Sequence, residues 1–305
     1  LRTGKWGFVM LNKATITGPA LRYHGGKYRL AGWILEHFPQ HRCYVEAFGG
    51  AASVLLKKPR SYSEVYNDLD GEIVNFFRVL RDPQTCQQLI AALTMTPYAR
   101  AEFELAYQMT DDPVEMARRV AVRAQMGFGS AGATKSTTGF RIDTKRPYNT
   151  AQHLWTRYPD NVAAVAERFS SVLIENRNAL TVMQQHDSAD TLHYVDPPYV
   201  WGTRVLRNRK GCYKHEMTDD QHVELLTGLN ALKGMVVLSG YDSDLYNDLL
   251  SQLHWINYAR SSRASAYRGT KMTWEMIWIN PACADALQSE ALNKLNGFAV
   301  YKHVD

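Results

Sequence analysis

Apolar positions along the chain alternate between two spacings. "CYVEAFGG" (43–50) and "SEVYNDLD" (63–70) read as buried strands, the first running into glycines and the second ending in acids. Behind each comes a helical stretch, "AASVLLKK" and the amphipathic "EIVNFFRVL". A helix over 28–38, ending before Pro39, precedes them. Strand, helix, strand, helix in this order predicts a parallel sheet with helices on both faces. From about Pro97 the spacing changes. Helical stretches over 97–109 and 113–126 lead into "GFGSAGATKSTTGFRIDTKRP", which has no apolar face, and a further helix spans 151–168. Strands resume with "SVLIEN" (171–176). Residues 95–170 therefore read as an insertion that splits an α/β domain into 21–94 and 171–305, while 1–20 lack clear periodicity and read as an N-terminal extension.

"TLHYVDPPYVWG" (191–202) alternates like a strand and then stops at two prolines, which cannot donate to a sheet ladder. "TDDQ" fits a capping box, with Thr218 as N-cap and Gln221 three residues on, opening a helix to about Leu232. "GMVVLSGY" is another strand and 242–252 a helix. "HWINYAR" and "TWEMIWIN" are the last two strands, expected to be antiparallel, which makes about seven in all. Trp274 and Trp278 lie four apart on the final strand, so they share a face, and both are expected in the core.

Composition narrows the class. The chain has 305 residues, 45% hydrophobic and 21% charged, which suits one large domain or a core domain with a smaller one inserted. Cys43, Cys86, Cys212 and Cys283 stand far apart with no C-x-x-C pair, and no secretory leader pattern is visible, so a reducing, cytoplasmic setting is expected. No apolar run approaches the ~18 residues of a membrane span. The histidines include no H-E-x-x-H, with His215, His222 and His254 reading as surface or helix positions, and no metal is expected.

Net charge is +5, unevenly spread. Residues 118–157 hold eight Lys/Arg against one acid, Asp143, and residues 200–215 hold five and no acid. The remainder is net acidic, so the two basic segments form a candidate polyanion footprint. The DNA-contacting candidates are Lys135, Ser136, Arg141, Lys145 and Arg146 in the first and Arg204, Arg207, Arg209 and Lys210 in the second. Two solvated loops are the bland alternative.

Three motifs carry chemistry. "EAFGG" after a strand is a turn that lets backbone approach a ligand at a helix N-terminus, or simply packs tightly. "YNDLD" sets Asp68 at a strand end, where a carboxylate can accept both hydroxyls of a ribose. The competing role is a helix N-cap, which Asp70 could fill equally well. Together they point to a nucleoside-bearing cofactor, either a dinucleotide or S-adenosylmethionine. "DPPY" (196–199) separates these. The exocyclic amine of adenine is a poor nucleophile because its lone pair is delocalised into the ring. A carboxylate and a backbone carbonyl accepting its two N–H bonds would draw it towards tetrahedral geometry, and two prolines hold such acceptors rigidly. The adjacent aromatic offers a stacking surface for an extruded base. Cytosine C5 chemistry would want a cysteine behind proline, and no cysteine here follows one.

In these motifs the chain resembles the Dam-like (D12 class, α-group) DNA adenine-N6 methyltransferases. The resemblance covers roughly residues 20–305 and rests on "RYHGGK", "YVEAFGGAAS", "EVYNDLD", "LHYVDPPY", "YKHEMTDDQH", "VLSGY" and "EMIWINP", in the α-group order. It implies a class I S-adenosylmethionine-dependent methyltransferase, an α/β Rossmann-like sheet with an inserted, mostly helical target-recognition domain. Carried across, Tyr23, Gly25, Gly26, Glu46, Phe48, Gly49, Gly50 and Asp68 would line the S-adenosyl-L-methionine pocket, with Lys27 near cofactor and DNA. Asp196, Pro197, Pro198 and Tyr199 would hold the flipped adenine of double-stranded DNA. The family commonly has an acid against the cofactor's adenine where this chain has Asn178, whose amide oxygen can still accept that hydrogen bond. Ala52 stands where the family has a third glycine, a minor change. The expected protein is thus a monomeric, cytoplasmic adenine-N6 methyltransferase without a membrane partner. The alternatives are N4-cytosine methylation and a catalytically silent DNA-binding regulator.

Overall fold

A computed structural model describes residues 15–134, 137–142, 150–204, 213–265 and 270–295. The strands are β1 (Cys43–Glu46), β2 (Ser63–Asn67), β3 (Val172–Glu175), β4 (Thr191–Val195), β5 (Met235–Tyr241), β6 (Ile256–Ser265) and β7 (Thr270–Ile279). They form one sheet in the order β3-β2-β1-β4-β5-β7-β6, with β7 antiparallel to both neighbours and the other pairings parallel. From β1 the chain steps outward to β2 and β3, then returns to lay β4 on the other side of β1. That reversal opens a crevice at the carboxyl ends of β1 and β4, the place where open α/β sheets bind ligands.

The helices preceding β3 are α1 (Ala31–Leu35), α2 (Ser53–Lys57), α3 (Gly71–Arg81), α4 (Pro83–Met95), α5 (Arg100–Leu105), α6 (Pro113–Met126), α7 (Ala151–Thr156) and α8 (Tyr158–Phe169). Those after it are α9 (Ala179–Gln185), α10 (Asp219–Asn230), α11 (Asp244–Gln252) and α12 (Pro281–Leu295). Their starts follow local chemistry. Asp82 caps α4 with Pro83 in its first turn, Asp112 and Pro113 do the same for α6, and Thr218 and Gln221 complete the capping box of α10. Strand alternation then divides each strand between two cores. Tyr44, Tyr66 and Tyr194 point into the layer of α2, α3 and α8, while Val45, Val65 and Val195 point into that of α9, α10 and α11.

Several expectations shift. The helix expected over 28–38 is helical only in α1, and that over 97–109 only in α5; α4, α9 and α12 fall where no helix was read. Within 95–170, Phe103, Val120, Trp155 and Val162 join the cluster that holds Tyr66 and Phe77. Phe169, at the end of α8, stacks on Phe77 with ring centres 4.3 Å apart. Of the two tryptophans, Trp278 is buried against Tyr246, but Trp274 is 60% exposed. β5 pairs with β7 only from Glu275 onward, so Trp274 lies on the part of the hairpin that overshoots the sheet. His222 lies on α10 as read but is fully buried, bonded to the Tyr246 hydroxyl at 2.9 Å, and burial pushes its imidazole down to about 4. No helix among the described residues is long and apolar enough to cross a membrane.

Candidate active site

At the β1 end the chain makes a turn that only small residues permit. A Cβ on Gly49 would lie 2.2 Å from the Tyr66 ring, and Gly50 has φ +47°. Side chains from the neighbouring strand end hold this turn. The Gly50 N–H donates to Asp68 Oδ2 at 2.8 Å, the Tyr66 hydroxyl donates to the Gly50 carbonyl at 2.7 Å, and Asn67 Nδ2 donates to the Ala47 carbonyl at 2.9 Å. Asp68 Oδ1 also accepts the Asp70 N–H at 2.8 Å, whereas Asp70 is the residue that caps α3. The N-cap role thus falls to Asp70 and leaves Asp68 facing the crevice. Burial raises the Asp68 carboxyl, against the two backbone donors that favour its charge. Glu46 is buried beneath the turn, with one oxygen accepting both the Tyr44 hydroxyl at 2.6 Å and the Leu55 N–H at 2.8 Å. Desolvation pushes its carboxyl up to about 8.

The β4 end carries the second half of the site. Lys27 Nζ lies 2.9 Å from Asp196 Oδ1, 3.5 Å from Glu275 Oε1 and 4.7 Å from the centre of the Tyr199 ring. Burial opposes the Lys27 charge, but Asp196 and Glu275 outweigh it and raise the ammonium above its ordinary value. Burial raises the Asp196 carboxyl, with Lys27 opposing. Tyr199 donates its phenol hydrogen to Glu275 in a short bond, and its ring meets Tyr241 edge-on at 4.6 Å.

One cavity joins the halves. Tyr23, Gly25, Gly26, Lys27, Glu46, Phe48, Gly49, Gly50, Asp68 and Asn178 all stand in its wall with Asp196, Pro197 and Pro198, and Tyr199 sits next along the chain. Asn178 also caps α9, its amide oxygen accepting the Thr181 N–H at 3.2 Å. Sequence reasoning missed Glu275 and the wall residues Tyr213 and Met217. A lone acid inside the apolar run "TWEMIWIN" was the available signal for Glu275.

The basic residues divide differently from expectation. Arg204, expected on DNA, is 8% exposed, with Nε donating to the Tyr199 carbonyl at 2.6 Å and a guanidinium nitrogen 2.8 Å from Glu216. Its charge is spent inside the protein. Arg118, Arg119 and Arg123 are likewise paired, with Glu102 and Glu115, with Glu115, and with Glu72. Lys214 pairs with Asp70 and Glu72. Arg141 is half-buried, its carbonyl accepting the Tyr98 hydroxyl at 2.7 Å. Lys135, Ser136, Lys145, Arg146, Arg207, Arg209 and Lys210 lie outside the described residues. His37 and His41 stand four apart, but each bonds a nearby carbonyl, and no cluster among the described residues could hold a metal.

A mostly parallel seven-stranded sheet with one reversed strand, and a ligand crevice where β1 and β4 part, is the architecture of a Rossmann-like methyltransferase. Residues 23–263 match the model of the D12 class N6 adenine-specific DNA methyltransferases, and the chain belongs to that family. It is similar to the DNA adenine methylase of Escherichia coli strain K12, 22% identical over 254 residues, which cover 79% of this chain and 87% of that protein. To the DNA adenine methylase of Salmonella typhi it is 23% identical over 278 residues, 87% of this chain and 96% of the other. To that of Vibrio cholerae strain O395 it is 26% identical over 187 residues, 59% and 64% of the two chains. The fold class and the activity class that the motifs pointed to both hold: this is a DNA adenine methyltransferase.

Proposed function

We propose that the enzyme moves the methyl group of S-adenosyl-L-methionine to N6 of an adenine turned out of double-stranded DNA. The observation that carries this reading is Asp196, a partly buried carboxylate at the end of β4 in the wall of the cavity that Asp68 and the glycine turn also line. The residues fit the cofactor. Asp68 Oδ2 holds the Gly50 N–H and Oδ1 the Asp70 N–H, and each keeps acceptor capacity for ribose hydroxyls. Gly49 and Gly50 leave bare backbone beside it, Tyr23 and Phe48 give apolar wall, and Asn178 offers its amide to an adenine edge. When bound, the cofactor supplies a methyl group on a positively charged sulfur. Asp68 and Asp196 in the cavity wall favour such a charge.

The chain's own task is to ready the amine. Asp196 accepts one N–H of the exocyclic nitrogen, and the rigid Pro197–Pro198 backbone fixes the second acceptor, a carbonyl, so the lone pair localises for attack. The Asp196 bond strengthens as positive charge builds on nitrogen, which makes it a transition-state interaction. Asp196 is also placed to take the proton that N6 gives up. Tyr199 offers the base a ring beside these acceptors. The free thiols of Cys43, Cys86 and Cys283 support a reducing, cytoplasmic setting. Incubation with cofactor and duplex DNA, followed by nucleoside analysis, is expected to yield N6-methyladenine. N4-methylcytosine, or no product at all, would overturn the reading.

A further inference from the structure

One buried carboxylate has no task in the reaction above. Glu275 is 4% exposed, in the middle of β7. A charge at that depth persists only when paired, and both of its partners belong to the adenine site. Its Oε1 accepts the hydroxyl of Tyr199, 76 positions away in the chain, and lies 3.5 Å from Lys27 Nζ. Lys27 pairs with Asp196 at 2.9 Å and lies 4.7 Å from the centre of the Tyr199 ring. With Tyr241 edge-on at 4.6 Å, the ring is held at its hydroxyl, by a cation and by a second ring.

We propose that Glu275 is a positioning residue for methyl transfer, setting the Tyr199 ring through its hydroxyl and sharing Lys27 so that the cluster it forms with Asp196 keeps a net negative charge towards the target amine. The inference rests on the function proposed above. Two carboxylates flank one ammonium, so the trio carries net negative charge facing a nitrogen that becomes positive. Without Glu275, Lys27 serves Asp196 alone and the remaining pair is neutral. The electrostatic help then falls in the step where it matters, with little change in how substrates bind.

Glu275→Gln and Glu275→Ala separate the two tasks, because an amide oxygen still accepts the Tyr199 hydroxyl but brings no charge. Once the modified adenine has been mapped, single-turnover rates per folded enzyme are compared, with 2-aminopurine at the target position reporting on the extruded base. Glu275→Gln is expected to lose about 10-fold or more in rate, with wild-type KM for DNA and a wild-type fluorescence change. Glu275→Ala is expected to lose rate and also alter the fluorescence, as Tyr199→Phe alters it. Rates per folded enzyme within twofold of wild type for both Glu275 variants would overturn the inference. So would losses matched by the folded fraction in circular dichroism. If the wild type itself makes no N6-methyladenine, the proposed function fails instead.

Discussion

The backbone N–H of Gly50 donates to Asp68 Oδ2 at 2.8 Å, tying the turn after β1 to the turn after β2. One carboxylate thereby shapes the glycine turn and lines the cavity. Asp68→Ala is expected to weaken S-adenosylmethionine binding by ~2 kcal/mol or more, since a charged acceptor is lost and the turn loosens. Asp68→Asn keeps one carbonyl acceptor and should lose less. Calorimetric titration reads both, and unchanged affinity in the alanine variant would move the cofactor elsewhere.

Ala52, the residue before α2, has φ +53°, in the left-handed region that favours glycine. A Cβ there costs ~1–2 kcal/mol, while glycine gives back ~0.5–1 kcal/mol through a freer unfolded chain. Ala52→Gly is therefore expected to stabilise by up to about 1 kcal/mol. Ala52→Val, β-branched and fully buried, is expected to lose ~2 kcal/mol or more. Urea unfolding distinguishes them. A glycine variant less stable than wild type would show that the backbone is unstrained.

How much was legible in the chain follows from how far each signal reaches. The central strands were readable because Tyr44-Val45 and Tyr194-Val195 feed opposite cores, which makes a short apolar run wherever a strand is covered on both sides. The cradle was readable because the glycines and Asp68 sit at strand ends, where local sequence decides the turn. Glu275 was not, since its meaning lies in Tyr199, 76 positions away. Arg204 is a second case: counting charge along a segment does not reveal that Glu216 pairs with it. The start of α4 was readable in principle, because Asp82 before Pro83 marks a new helix directly after α3.

Glu46 links the cradle to pH. Its carboxyl is pushed up to about 8 in the fold by burial, against an ordinary 4.5. Between those values the folded state holds a proton that the unfolded state lacks. Stability is thus highest below the ordinary value and falls as pH rises through the window. Glu46→Gln removes the titration. Its stability from chemical denaturation should be flatter with pH and, near pH 9, exceed wild type by on the order of 2 kcal/mol. Parallel curves for the two proteins would contradict this.

Arg204 and Arg141 are expected to part ways in salt. Arg204 spends its charge on Glu216 and the Tyr199 carbonyl, so Arg204→Gln should slow methylation without changing the slope of log DNA affinity against log salt. In the other basic segment, Arg141→Gln should reduce that slope by about one, as loss of one phosphate contact does. Arg207→Gln and Lys210→Gln carry the same expectation as Arg141→Gln. A lowered slope for Arg204→Gln would return that residue to the DNA surface.

In the proposed reaction Asp196 acts as a charged acceptor, and burial raises its carboxyl while Lys27 and Tyr199 hold it back. As pH falls, protonation should therefore remove activity above the ordinary aspartate range, giving an acid limb in single-turnover methylation. Asp196→Asn keeps an oxygen that accepts the N–H but carries no charge, so it should be slow and show no such limb. Asp196→Ala should bind cofactor and DNA and still lose at least ~100-fold in rate, the scale for removing one preorganised electrostatic group. Because its bond strengthens only as charge develops on nitrogen, the loss should appear in the chemical step and not in either dissociation constant. Near-normal turnover in the alanine variant would mean that the two prolines only end a strand.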